Sequence, residues 1–246
     1  MCNAVYRSVI NDNPCGIANL RYSDLLNHFL AGLLRYVDPS QVEITYFPPI
    51  NDDHIKQLRS KGIKVTKKPR HPLTYIVKYA FQLYMYEDIP EILMINDVDT
   101  WVLRDPTIMV ENTRAYAGRA DPCSYRNPKT TNIIDWKKYR EALSIIGFKH
   151  TWKPPAICNG NMVFRGKDKT KEYYDRTVKY LHMLHEGEIP LFMPKRYMLF
   201  MASMLSVVMT YPRKDIWFWS REEMAFQRTE QYAVARCMMM GRRRLK

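Results

Sequence analysis

Four successive apolar residues, Ile92 to Ile95, run straight into Asn96-Asp97-Val98-Asp99. A strand with one wetted face alternates apolar and polar residues. An unbroken apolar run instead suits a strand covered on both faces, the situation inside parallel sheets of α/β proteins. A carboxylate costs several kcal/mol to bury unless a partner compensates it. The chain must therefore place this strand inside a layered fold and still let two aspartates emerge at its carboxyl end.

The flanking segments fit that demand. Residues 4–10 read as a strand that ends in the turn formers Asn11 to Gly16. Residues 22–38 carry Leu25, Phe29 and Leu33 beside Leu26, Leu30 and Leu34, an amphipathic helix capped by Ser23 and stopped at Asp38-Pro39. Strands are expected at 42–47 and 63–66, with a short helix opened by Asp52 and Asp53 between them. A helix is expected over 72–90, with Ile76, Ala80 and Leu83 on one side and Thr74, Lys78 and Gln82 on another. Further strands are expected at 112–118 and 159–166, and a helix over 170–186. Strands alternating with helices define an α/β fold: a single Rossmann-like domain, its central sheet mostly parallel and flanked by helices. The domain is expected to span residues 1–211, with 212–246 a basic, helical extension. The polar, turn-rich stretch Arg119 to Lys138 has the profile of a long functional loop.

Charge narrows the partners. A formal net charge of +13 points to an anionic partner. From Arg213 onward nine Lys and Arg face four acids, so the carboxy-terminal segment suits peripheral contact with a membrane surface or polyanion. No nucleic-acid recognition motif accompanies the charge, so no specific nucleic-acid partner is expected. Five scattered cysteines without a CxxC pair argue against a disulfide scaffold or structural zinc. The first residues lack the pattern of a signal peptide, and the longest apolar run, 198–209, is short for a membrane span. A cytoplasmic location is the expectation.

In open parallel sheets, ligands bind beyond the carboxyl ends of the strands. Carboxylates at i and i+2 in such a place suit Mg²⁺ or Mn²⁺, with substrate phosphates completing the shell. The same residues also suit a plain strand-to-turn junction in which they accept from backbone N–H groups.

The stretch 91–107, EILMINDVDTWVLRDPT, resembles the strand-DxD-strand signature of GT-A-fold glycosyltransferases, closest to the glycogenin and lipopolysaccharide galactosyltransferase group. A lysine-bearing helix (Lys78) before the motif and the segment ICNGNMVFRG after it follow that group's order. The resemblance covers about residues 4 to 210. Two departures stand out: "NGN" replaces the group's NxG, and its carboxy-terminal His-x-x-Gly-x-x-Lys-Pro-Trp motif is absent.

The resemblance implies a metal-dependent transferase that takes a sugar from a nucleotide-diphosphate donor, a UDP-sugar first, to a glycan, protein or lipid acceptor. It implies that Asp97 contacts the donor ribose and the metal, that Asp99 ligates Mn²⁺ or Mg²⁺, and that Asn96 supports the pair. Lys78 would add charge near the phosphates. Asn11 and Asp12 would meet the uracil edge, and Asn159, Gly160 and Asn161 the sugar hydroxyls. Asp121 would face sugar or acceptor. Glu188, Glu186 and Asp135 are candidates for the carboxylate base that an inverting transfer needs.

His182 and His185, three apart on a helix, and the aromatic cluster 216–219 are weaker candidates for metal and acceptor. Two rival classes have less support. A sugar-phosphate nucleotidyltransferase would carry a glycine-rich loop after the first strand, where this chain has only Gly16 before Arg21. A non-catalytic nucleic-acid-binding module would leave the paired aspartates unexplained.

Overall fold

The computed structural model describes residues 3–11, 21–48, 52–120, 134–149, 157–219 and 226–228. Its centre is a seven-stranded sheet built from β1 (Val5–Ile10), β2 (Val42–Tyr46), β3 (Lys64–Lys67), β4 (Ile92–Asn96), β6 (Tyr116–Ala120), β7 (Ile157–Arg165) and β8 (Ile216–Trp219), in the order β3-β2-β1-β4-β7-β6-β8. β1, β2, β3 and β4 are mutually parallel, and β6 pairs parallel with β8. β7 runs against both of its neighbours, β4 and β6. A second sheet pairs β5 (Thr100–Val102) with β9 (Phe226–Arg228). The expected mixed α/β sheet, mostly parallel, is therefore the observed one.

One face of the sheet packs on α1 (Tyr22–Leu33), α2 (Asp52–Ser60) and α3 (Thr107–Glu111), where Leu26, Phe29, Leu30, Leu58 and Val110 meet Tyr6, Ile44, Met94 and Val163. The other face takes Leu93, Ile95, Met162 and Phe164 against α5 (Lys167–Glu186) and α6 (Met198–Thr210). α4 (Trp136–Ile145) packs outside that layer through Tyr139, Ala142 and Leu143. The apolar run expected to be too short for a membrane is α6, buried all round. Among the described residues no helix is long and apolar enough to cross a membrane.

Gly32 shows how closely α1 lies on β5. A Cβ built there would stand 2.9 Å from the Cβ of Val102. Gly32→Ala is expected to lower stability by about 1–3 kcal/mol through this overlap, despite alanine's better helix propensity. A urea-unfolding midpoint at or above the wild-type value would show that the helix shifts freely.

Two segments differ from expectation. Residues 72–90 do not form an α-helix but two 3-10 turns, Pro72–Tyr75 and Ala80–Tyr86. Leu83, Tyr84, Met85 and Tyr86 are buried in succession, which the single apolar stripe of an amphipathic helix does not allow. Residues 112–118 start as the end of α3, and the strand begins only at Tyr116. Asp105 bonds the Thr107 N–H at 2.9 Å to open that helix, and the Arg165 guanidinium takes the carbonyls of Val110 and Thr113 at its end. Beyond residue 211, β8 pairs with β6 in the main sheet, with Trp219 buried. The helical character expected further on falls largely on residues 229–246, outside the described ones.

Candidate functional site

β4 delivers Asn96 to the carboxyl rim of the sheet, and the chain turns there through Asp97, Val98 and Asp99. Val98 is buried in the α1-side core, and this anchors the middle of the turn. Asp97 and Asp99 flank it, both half-buried. The Asp97 N–H donates to the Gly160 carbonyl at 2.5 Å, and the Thr100 hydroxyl donates to the Asp97 carbonyl at 2.5 Å. From the other side, Ser8 of β1 donates to the Asn96 carbonyl at 2.9 Å. Three neighbours thus hold the backbone of the aspartate turn.

Asn96 and Asn161 are direct cross-strand partners on β4 and β7 and share one face of the sheet. They are 1% and 5% exposed, and the side-chain oxygen of each accepts no hydrogen bond among the described residues. The Asn96 amide nitrogen donates within its own strand, to Met94 at 3.2 Å. Two acceptors with unused capacity beside the aspartate turn constitute a polar spot in an otherwise apolar layer. The structure therefore brings Asn96, Asp97, Asp99, Gly160 and Asn161 together.

The remaining sequence candidates are dispersed. Asn11 lies directly beyond β1 at the same rim, half-buried. Lys78 is exposed between the two 3-10 turns, its ammonium 5.8 Å from the Tyr79 ring. Glu188 is exposed beyond α5, after Gly187, and lies outside the β4–β7 junction; Glu186 is exposed at the helix end. Asp135 is the N-cap of α4, accepting from the N–H groups of Lys137 and Lys138, so it is a helix cap and its carboxylate is engaged. His185 meets the edge of Tyr75 and is exposed. Asp12 and Asp121 lie outside the described residues, and Asn159 sits in β7 with its side chain outside them.

Sequence reading passed over Ser8 and Thr100, whose hydroxyls shape the turn. A serine in an apolar strand and a threonine directly after the second aspartate were the available signals. It also passed over Phe47, Tyr79 and Phe81. Phe47 follows β2, and its N–H donates to the carbonyl of Ile10. Its ring stacks on Phe81 with centroids 4.3 Å apart, and Tyr79 meets Phe81 at 6.0 Å.

Behind the strand ends, Tyr86, Tyr173 and Ser203 line a cavity of about 20 Å³ against Ile95 and Met162. That space suits a water molecule and not a nucleotide. Burial pushes the Tyr86 and Tyr173 hydroxyls up, so both stay protonated; Tyr86 donates to Tyr173, which shares a hydrogen bond with Ser203.

A sheet ordered in this way, with β7 reversed and the aspartate turn beyond β4, is the GT-A fold, the architecture of a large class of glycosyltransferases. Among solved structures the chain is similar to the galactosyltransferase LgtC in complex with donor and acceptor sugar analogs, with a TM-score of 0.52 and 10% identity over 87% of this chain and 72% of that one. It is also similar to the glycosyltransferase GlyE of Streptococcus pneumoniae TIGR4, with a TM-score of 0.51 and 10% identity over 88% of this chain and 45% of that one. The chain thus spans less than half the length of GlyE. At such identities the likeness concerns the fold. No protein-family model matches the sequence, and no curated protein matches it.

Proposed function

We propose that this chain is a glycosyltransferase that moves a sugar from a nucleotide-diphosphate donor, a UDP-sugar, to a hydroxyl of a glycan, protein or lipid, with Mn²⁺ or Mg²⁺ at Asp97 and Asp99. The observation that carries this reading is the aspartate turn at the carboxyl end of the central strand of a GT-A sheet, tied to β7 at Gly160.

The donor set fits such an ion. Both side chains offer hard oxygen atoms from a half-buried position, and these cations commonly take one or two protein carboxylates plus water and substrate phosphates. Among the described residues no group of three or more His, Cys, Asp or Glu side chains is gathered to hold a metal by itself. A bound cation would neutralise the charge developing on the departing nucleotide.

The chain's own residues do the rest. Asp97 and Asp99 orient the diphosphate, and Asp97 also meets the ribose. Asn161 offers an unused acceptor to sugar hydroxyls, with Asn159 and the Gly160 backbone beside it. Lys78 contributes positive charge to the donor side, and Asn11 with Asp12 borders the base. In the transfer, the bond from the anomeric carbon to the diphosphate oxygen breaks and one to the acceptor oxygen forms. The acceptor's proton passes to a carboxylate if the reaction inverts, with Glu188 or Glu186 the candidates for it, since Asp135 is engaged as a helix cap, while Asp121 faces the sugar or the acceptor. The basic carboxy-terminal segment suits an anionic acceptor or a membrane surface carrying it.

Calorimetric titration of UDP tests the donor site. Micromolar binding with Mn²⁺ that disappears in EDTA is expected. Equal affinity in the two conditions would sink the assignment of the metal.

A further inference from the structure

The rim above β1 and β2 holds a feature that the transfer chemistry leaves unused. Phe47 stands directly after β2, level with Asn11, its ring stacked on Phe81 with an interplanar angle of 21°. Tyr79 closes the row, its ring edge-on to Phe81 at 65° and 43% exposed. Lys78 borders it with a cation. Phe47 is buried and Phe81 half-buried, so the row turns the exposed ring of Tyr79 and the outer part of Phe81 to water, an aromatic surface that suits a planar partner.

Two distances within the sheet identify that partner. The order β2-β1-β4 sets Phe47 two inter-strand spacings, about 10 Å, from the strand that ends in the aspartates. The register sets its height. Ser8 reaches the Asn96 carbonyl, and Asn11, three residues further along β1, is level with the Asp97–Asp99 turn and with Phe47. The aromatic row and the carboxylates thus share one rim, separated by about the reach of a nucleoside from its base to its phosphates. A sugar acceptor needs no such spacing.

We infer that Phe47, Phe81 and Tyr79 form the platform for the nucleobase of the donor: the base stacks against Tyr79 and the outer side of Phe81, and Phe47 backs the row from the sheet. The inference rests on the donor reading above and adds to it the residues that hold the base. Stacking on an aromatic ring is tolerant of base identity, because every base has a π-face. The platform therefore supplies affinity for any nucleoside diphosphate, and edge contacts elsewhere must select uracil.

The test is calorimetric titration of UDP and of inorganic pyrophosphate, each with Mn²⁺, into wild-type protein, Tyr79→Ala, and Tyr79→Ala/Phe81→Leu. Tyr79 is exposed, and leucine keeps an apolar contact with Phe47, so both variants should keep the wild-type unfolding midpoint. The single variant is expected to weaken UDP about 5- to 100-fold, the usual range for losing one base stack. The double variant should weaken it further, while pyrophosphate affinity stays unchanged. Wild-type UDP affinity in both variants would overturn the platform and leave the donor reading standing. An equal loss for UDP and pyrophosphate would overturn it too, by placing these rings at the phosphates. If wild-type protein binds neither probe, the donor reading itself fails.

Discussion

Asp99→Asn is expected to lower donor turnover, followed as Mn²⁺-dependent release of UDP from a UDP-sugar, by about a thousandfold, close to 4 kcal/mol of lost transition-state stabilisation. The substitution keeps the shape of the side chain and removes its charge, so it separates electrostatics from packing. The turn should survive it, because its backbone is held by Gly160, Thr100 and Ser8 and its buried anchor is Val98. An unchanged unfolding midpoint checks that condition. Turnover within threefold of wild type would mean that the aspartates close a strand and do no chemistry. Asp97→Asn should show a loss of similar size, and Mn²⁺ titration should show weaker metal dependence in both variants.

The second large effect concerns stability. Arg7 is 3% exposed in the middle of β1. Its Nε and Nη2 bond the Glu43 carboxylate at 2.8 and 2.5 Å, Nη1 bonds the Met85 carbonyl at 2.9 Å and the Glu87 carbonyl, and Nη2 bonds the Asp88 carbonyl at 3.2 Å. One guanidinium thereby ties the end of the second 3-10 turn to the sheet, where Asp88 holds a φ of 45°, a region disfavoured for residues other than glycine.

Burial pushes the Glu43 carboxyl up, but the hydrogen bond from Lys64 and the charge of Arg7 outweigh it and hold the group below the usual carboxylate range. A carboxyl depressed in the folded state stabilises at neutral pH, and that contribution disappears as pH falls through the carboxylate range. Arg7→Leu is expected to cost about 3–5 kcal/mol in urea unfolding at pH 7, because it leaves the half-buried Glu43 carboxylate to Lys64 alone and three carbonyls without their guanidinium donor. Arg7→Leu/Glu43→Leu should recover much of the loss. A single-variant cost below about 1 kcal/mol would show that water replaces the guanidinium, as at exposed pairs.

The comparison of sequence with structure is instructive at particular elements. α1 and α5 were legible because each carries a long apolar stripe of one period, and local pattern and tertiary burial agree there. β4 was legible because an unbroken apolar run has few other uses. The residues 72–90 were misread for the opposite reason. Ile76, Ala80 and Leu83 mimic a helical period, yet Arg7, Phe47 and the sheet draw successive residues inward from several directions. The pairing of Asn96 with Asn161 could not be read, because it depends on the reversed strand β7 lying beside β4. The same holds for the aromatic row, in which Phe47 is more than thirty residues from Tyr79 and Phe81 in sequence and meets them only because β2 ends beside the connector.

The chain alone thus marked the end of β4 as a polar rim, since two carboxylates after a buried strand are costly unless the strand ends at a polar site. It also determined the layered α/β class through its alternating periods. Tertiary structure settled what surrounds those carboxylates: Gly160 beneath Asp97, Ser8 and Thr100 on its flanks, Asn161 across the strand, and three rings at the same rim. The physical reason is the range of the forces involved. Burial patterns act within one element and are written in its period, whereas a site is assembled from contacts between elements whose order in space is set by the packing of the sheet as a whole.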